Sequence, residues 1–248
     1  MGNDSVKIKA DALSDFSQFI GPMKVRTMKA AGLDIIEDKR EGASVWDITG
    51  EKYIDCQTGS GIMNVGRRNP DIVAALKTAL DTYDIGVFLL CSKPKADLAK
   101  KLAEITPGDL QCTIFGAGGG EANDAAIKIA RGYTMKKEII YTQKAYHGHT
   151  GFALSAIGRN AYKEPFEPLM PGFKMVPFGD IKAIAKAITD DTAAIILEPI
   201  QGEGGINIPP DEYLPQVRRL CDDHEILLIL DEIQTGFGRT GRMFASEH

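Results

Sequence analysis

Residues 226–241 read ILLILDEIQTGFGRTG. An apolar run of strand length, Ile226 to Leu230, ends in the acidic pair Asp231-Glu232 and breaks into a Gly-rich loop. In a parallel α/β sheet, ligands sit beyond the carboxyl ends of the strands, so Asp231 is aimed at a ligand. Working backwards, Glu212 to Asp223 has helical pattern, with Pro215 tolerable only in the first turn. Ala193 to Leu197 is a second apolar strand, ending in Glu198-Pro199. Ile181 to Ile188 reads as a helix and Glu138 to Thr142 as a strand. Before these, a helix carries Ala122, Ala125, Ala126, Ile129 and Tyr133 along one face of a 3.6-residue period, and Cys112 to Phe115 reads as a strand. Strand and helix in alternation imply a mainly parallel sheet covered on both faces.

Upstream the pattern differs. Residues 1 to about 30 are polar and helical in tendency. Three short strand-like pieces follow, at Ile35–Asp38, Ser44–Asp47 and Lys52–Asp55, separated by Gly42 and Gly50, which reads as a small antiparallel meander. Pro70 opens a helix over Asp71 to Thr82, and Lys95 to Glu104 gives another. The expected division is therefore 1–68 for the N-terminal segment and meander, and 69–248 for the sheet domain. With 248 residues the chain can bury a substantial core. A net charge of −5 gives no basic footprint for nucleic acid. No apolar run is long enough to span a bilayer, and the first 16 residues hold no apolar signal core. Cys56, Cys91, Cys112 and Cys221 lie far apart, which argues against a zinc site or a disulfide framework and fits the cytoplasm.

Three places carry groups suited to chemistry. The turn Phe115-Gly116-Ala117-Gly118-Gly119-Gly120-Glu121 precedes a helix. Consecutive glycines let backbone approach a ligand, and the helix start offers free N–H groups and a positive dipole end, which together suit phosphate. A dinucleotide fingerprint is excluded, because Glu121 falls where its third glycine belongs; a P-loop is excluded, because no Gly-Lys pair exists in the chain. Tyr146, at a strand end beside His147-Gly148-His149, can lie flat on a planar heteroaromatic ring. A surface tyrosine and a histidine metal pair are the plainer readings, and no carboxylate cluster adjoins to favour the metal. Asp231, taken alone, is an ordinary loop-capping acid. A buried carboxylate can instead hold a protonated pyridine nitrogen and make that ring an electron sink. Combined, phosphate cup, stacking aromatic and carboxylate describe a site for a phosphorylated pyridine.

These motifs, with VWDITGEKYIDC (45–56), EPFEPLMPGFKMVPFGDI (164–181) and EPIQGEGG (198–205), resemble class III (subgroup II) aminotransferases. The resemblance covers almost the whole chain, on the branch of the putrescine, ornithine and 4-aminobutyrate aminotransferases. It implies a fold-type I large domain, the N-terminal part of a small α+β domain, and a C-terminal domain that these residues lack. It implies pyridoxal 5′-phosphate as cofactor. Gly119 and Gly120 would hold the phosphate through backbone N–H groups, Tyr146 would stack on the ring, Asp231 would pair with the ring nitrogen and Gln234 would approach the ring hydroxyl. Glu198 would line the coenzyme pocket, and Glu203 would be a substrate gate pairing with an arginine beyond these residues. The Schiff-base lysine would lie about a dozen residues past His248. The family turn usually carries hydroxyl residues where this chain has Gly118 and Gly120, so two side-chain phosphate donors are missing. Gly66-Arg67 stands where Gly-His is commoner.

The expected function is amino-group transfer from an ω-amino acid or diamine to a 2-oxo acid, by a cytoplasmic homodimer with shared active sites. A truncated or split-chain module without activity is one alternative. A racemase or decarboxylase of the same fold is another, since fold does not fix reaction. Residues 1–248 alone are expected to be inactive.

Overall fold

The computed structural model describes residues 2–83 and 89–248. By compactness the chain forms two units, Met1–Val87 and Phe88–His248; the boundary expected at 68/69 follows composition, a different criterion. No helix among the described residues is long and apolar enough to cross a membrane.

In the first unit, helices Gly2–Phe19 and Pro22–Ala30 precede a three-stranded antiparallel sheet in the order β1-β2-β3, formed by Glu37–Glu41, Ser44–Asp47 and Lys52–Ile54. The first strand lies two residues further along than the apolar pair Ile35-Ile36 suggested, because its pairing with β2 runs from Glu37 opposite Asp47 to Glu41 opposite Ser44. The turns need positive φ, and Gly42 (57°) and Gly50 (86°) adopt it without a Cβ penalty. Asp47 Oδ1 accepts the N–H of Thr49 at 2.8 Å and of Glu51 at 3.0 Å, tying the second turn. Helix Pro70–Leu80 is capped by Asn69, whose side chain accepts from Asp71 and Ile72 N–H. Arg67 pairs with Asp55, and its backbone bridges Gly42. That pairing holds the Asp55 carboxyl below the usual carboxylate range and gives Arg67 a structural reason to be there.

The second unit is built on a four-stranded parallel sheet, order β5-β4-β6-β7, with β4 Glu138–Thr142, β5 Phe173–Val176, β6 Thr192–Leu197 and β7 Leu227–Leu230. Strand β6 is buried along all six residues, as a central strand covered on both faces must be. Side-chain alternation sends Ile139, Tyr141, Ala194 and Ile196 to one face, against Ile127, Ala130 and Ala156. Ile140, Ile195 and Leu197 point to the other, against Ile184, Val217 and Cys221 of helices Ile181–Ala187 and Tyr213–Asp223. Fully burying one such branched side chain contributes ~1.5–3 kcal/mol.

Two expectations are corrected. Residues 112–115 form no strand: neither edge of the sheet pairs with them, and Ile114 is 66% exposed. A strand needs a neighbouring ladder, and apolar content cannot supply one. Helix Gly119–Thr134 is present, but its buried stripe is Asn123, Ile127 and Ala130, while Ile129 and Tyr133 face outward. Polar anchoring sets this rotation. Asn123 bonds inward to Asp231 (2.8 Å), and Asp124 Oδ1 accepts the Ala153 N–H (2.8 Å) from the short helix Gly151–Ser155.

Candidate functional site

The carboxyl ends of β4, β6 and β7 lead into the loops that carry Tyr146, Glu198 and Asp231. Asp231 is the centre of the constellation. It is 6% exposed, and its N–H donates to the Leu197 carbonyl at 2.7 Å, which fixes the loop's departure from β7. Its Oδ2 accepts from Asn123 Nδ2 at 2.8 Å and meets His147 Nδ1 at 2.7 Å; its Oδ1 accepts the Ile233 N–H at 3.1 Å. An ionised carboxylate only accepts, so Nδ1 of His147 carries the hydrogen. Two donors fill Oδ2 and one occupies Oδ1, so one lone pair of Oδ1 is left for a ligand. Asn123 Nδ2 also donates to the His147 carbonyl at 2.9 Å, closing a buried triangle. His147 Nε2 is buried without a partner.

The glycine turn expected to take phosphate lies at the start of Gly119–Thr134. Gly118 is the N-cap, in extended conformation, and no side chain caps the helix. Glu121 instead reaches back to the Ala117 N–H. A Cβ on Gly118 would meet nothing within 4 Å, so this side of the turn is open. Gly120 differs. A Cβ there would lie 3.0 Å from Thr150 Oγ1, and one on Gly148 would lie 2.5 Å from the Gly120 Cα. The two glycines thus let the 145–150 loop and the helix start touch backbone to backbone, with Gly148 at φ 114°. On Gly119 a Cβ would come within 2.8 Å of the Ile233 side chain.

Glu198 is buried and braces two loops: Oε1 accepts the Tyr146 N–H at 2.9 Å and Oε2 the Gly202 N–H at 3.0 Å. Burial raises its carboxyl pKa against these two bonds. Gln234 Nε2 donates to Glu203 Oε1 at 3.3 Å. Tyr146 is half-buried, and burial, followed by the charge of Glu203, raises its phenol pKa. The two histidines after Tyr146 diverge: His147 turns inward to Asp231, whereas exposed His149 packs edge-on against Tyr146 with centroids 5.3 Å apart.

All seven sequence-derived residues therefore lie in the second unit. Tyr146, Glu198, Glu203 and Gln234 are linked through hydrogen bonds or charge, and Gly119 and Asp231 meet around Ile233. Asn123 and His147 escaped attention as partners of Asp231. One signal was available: Asn123 is polar, yet falls in helical step with Ile127 and Ala130.

The constellation belongs to a known class. Residues 27–248 match the class-III aminotransferase family, and the chain belongs to that family, whose members depend on pyridoxal phosphate. It is 49% identical over 248 residues, its whole length, to an uncharacterised aminotransferase of Archaeoglobus fulgidus, of which it covers 58%. It is 43% identical over 260 residues to a putrescine aminotransferase of Pectobacterium atrosepticum, covering 99% of this chain and 56% of that one. The solved ornithine aminotransferase of Toxoplasma gondii ME49 superposes with a TM-score of 0.87 at 30% identity, over 97% of this chain and 57% of that one. The chain thus spans rather over half the length of these relatives.

The residues present suit the family's cofactor. An uncapped helix start with an open glycine can take a phosphate, and a buried carboxylate keeps one free acceptor position.

Proposed function

We propose that the complete protein is an aminotransferase moving an amino group from an ω-amino acid or diamine to a 2-oxo acid. The observation that carries this reading is the Asp231 carboxylate, fixed by Asn123, His147 and Ile233 in the unit that also holds the uncapped glycine turn. Pyridoxal phosphate, when bound, supplies the electron sink on which amino transfer depends. The chain's own residues hold and orient it. Backbone N–H groups of Gly119 and Gly120 receive the phosphate. Tyr146 would cover one ring face, its backbone held by the Glu198 bond to its N–H. Oδ1 of Asp231 would accept a hydrogen bond from the protonated ring nitrogen, which stays protonated, and the donors on Oδ2 keep that carboxylate from turning away. Gln234 would approach the ring hydroxyl, while Glu198 would line the pocket and Glu203 the substrate entrance. A homodimer in the cytoplasm, with a sheet domain over 69–248, completes this reading; all four cysteines are free.

Asp231→Asn in the full-length protein tests it. A neutral amide cannot hold the protonated ring, so turnover of an ω-amine panel with 2-oxoglutarate should fall by orders of magnitude while the fold persists. Near-normal turnover overturns the assignment.

A further inference from the structure

Gln201 has no task in the cofactor reading, yet it is wholly buried and each polar atom of its side chain is engaged. Its Nε2 donates to the Thr142 hydroxyl at 3.1 Å and to the Gln143 carbonyl at 2.8 Å, and its Oε1 accepts from Asn207 Nδ2 at 3.0 Å. Asn207 Nδ2 spends its other hydrogen on the Gly204 carbonyl at 3.1 Å. Both amides can point only one way, because the Gln143 and Gly204 carbonyls accept and never donate. Two backbone bonds between Gln201 and Asn207, at 3.0 and 3.1 Å, close the loop 201–207 at its base. Thr142 is the last residue of β4, so the closed loop is fastened to the sheet itself.

The neighbours of this loop give that fastening a purpose. A Cβ on Gly202 would overlap the Gln234 side-chain amide, and one on Gly204 would lie 3.0 Å from the Lys144 carbonyl, in the segment that leads to Tyr146. The loop therefore stands as a spacer, its backbone against the Tyr146 segment on one side and against Gln234 on the other. A buried amide with all its hydrogen bonds made holds one position, and what rests on it is held too. Resting on the cofactor reading, we propose that Gln201 is a positioning residue: through the closed loop 201–207 it sets the separation between Tyr146 and Gln234, the groups that meet the face and the hydroxyl edge of the pyridine ring.

The test uses the full-length protein. Gln201→Met keeps the length of the side chain and removes its bonds; Thr142→Val removes one acceptor at unchanged shape, and Thr142→Ser restores it. Titration of the cofactor-free proteins with pyridoxal phosphate should show about tenfold weaker binding for Gln201→Met, the scale of a lost buried hydrogen bond, a smaller loss for Thr142→Val and recovery in Thr142→Ser. Visible circular dichroism of the bound cofactor, which reports its tilt, should fall in the same order. Glu138→Gln, at the far end of β4, is the control for lost stability alone and should change neither readout. Equal effects in Glu138→Gln and Gln201→Met overturn the proposal, as does unchanged affinity and dichroism in Gln201→Met. Should Gln201→Met not fold, the Thr142 pair decides, and identical binding by its two variants overturns the proposal. Should the wild type bind no pyridoxal phosphate, the cofactor reading falls, and amide hydrogen exchange in the cofactor-free protein decides for Gln201. Thr142→Val should then quicken Asn207 and Tyr146 together, and a response at Asn207 alone overturns the coupling.

Discussion

Gly118 and Gly120 stand two residues apart in one turn, yet their surroundings give opposite answers to the same substitution. Neither has the left-handed φ that would demand glycine. Around Gly118 there is open space at a helix N-cap, so Gly118→Ser fits. The hydroxyl gains a few tenths of a kcal/mol over glycine as a cap, and about 1.5–3 kcal/mol if it also donates to a bound phosphate. Around Gly120 the Thr150 side chain and the Gly148 backbone already fill the space. Gly120→Thr must push the 145–150 loop off the helix and carry Tyr146 with it. Titration of the full-length protein with pyridoxal phosphate should show tighter binding for Gly118→Ser and weaker binding for Gly120→Thr. The reverse order would mean that the phosphate lies nearer Gly120 than the open side of the turn. The sequence singled out both positions by what they lack, but the direction of each effect depends on Thr150 and Gly148, which come from the neighbouring loop.

Between elements, Glu138 at the start of β4 ties down the edge strand β5. Its Oε2 accepts from Lys174 Nζ at 2.6 Å and from the Thr189 hydroxyl, and Lys174 first, then Thr189, lowers its carboxyl pKa. A depressed folded-state pKa contributes stability that is fully present above the unfolded glutamate value of about 4.3, and is lost as pH falls through the folded value. Glu138→Gln should therefore be less stable than wild type at neutral pH and converge with it in acid, as read from denaturant midpoints. A constant gap down to the acid limb would remove the pair from the pH response. The same strand shows where legibility ended. Ala193–Leu197 is continuous and apolar because β6 sits inside the sheet and is buried along its length, and Ile226–Leu230 was legible as an unbroken apolar run although β7 ends the described sheet. Phe173–Val176 is only four residues long and interrupted by Lys174, so it carries no comparable apolar run and went unrecognised. Residues 112–115 failed in the opposite way, since apolar content proposed a strand and no neighbour pairs with it. In the site, motif positions were legible because each follows a strand end. The Asn123–Asp231 bond was not, because it joins residues 108 apart and only the packed fold brings them together.

For the whole molecule, the outward apolar surface matters most. Ile114 and Phe115 on the extended segment and Ile129 and Tyr133 on the helix are 66%, 47%, 49% and 79% exposed. Large exposed apolar groups favour association. Residues 232–248 contain no lysine, and the family resemblance puts that lysine further on. Residues 1–248 expressed by themselves should hence associate or precipitate, and show no transamination with pyridoxal phosphate and a panel of ω-amines. Turnover by a soluble monomer of these residues would overturn that expectation.

Glu198 has a dynamic consequence. One buried side chain braces both the loop that presents Tyr146 and the loop that presents Glu203. The two loops are therefore hinged on a common pin, and neither can open without loosening the grip on the other. Amide hydrogen exchange exposes such a pin directly, since local opening sets the rate. Replacing Glu198 with alanine should quicken exchange at Tyr146 and Gly202 in step, whereas independent loops would respond at one amide alone.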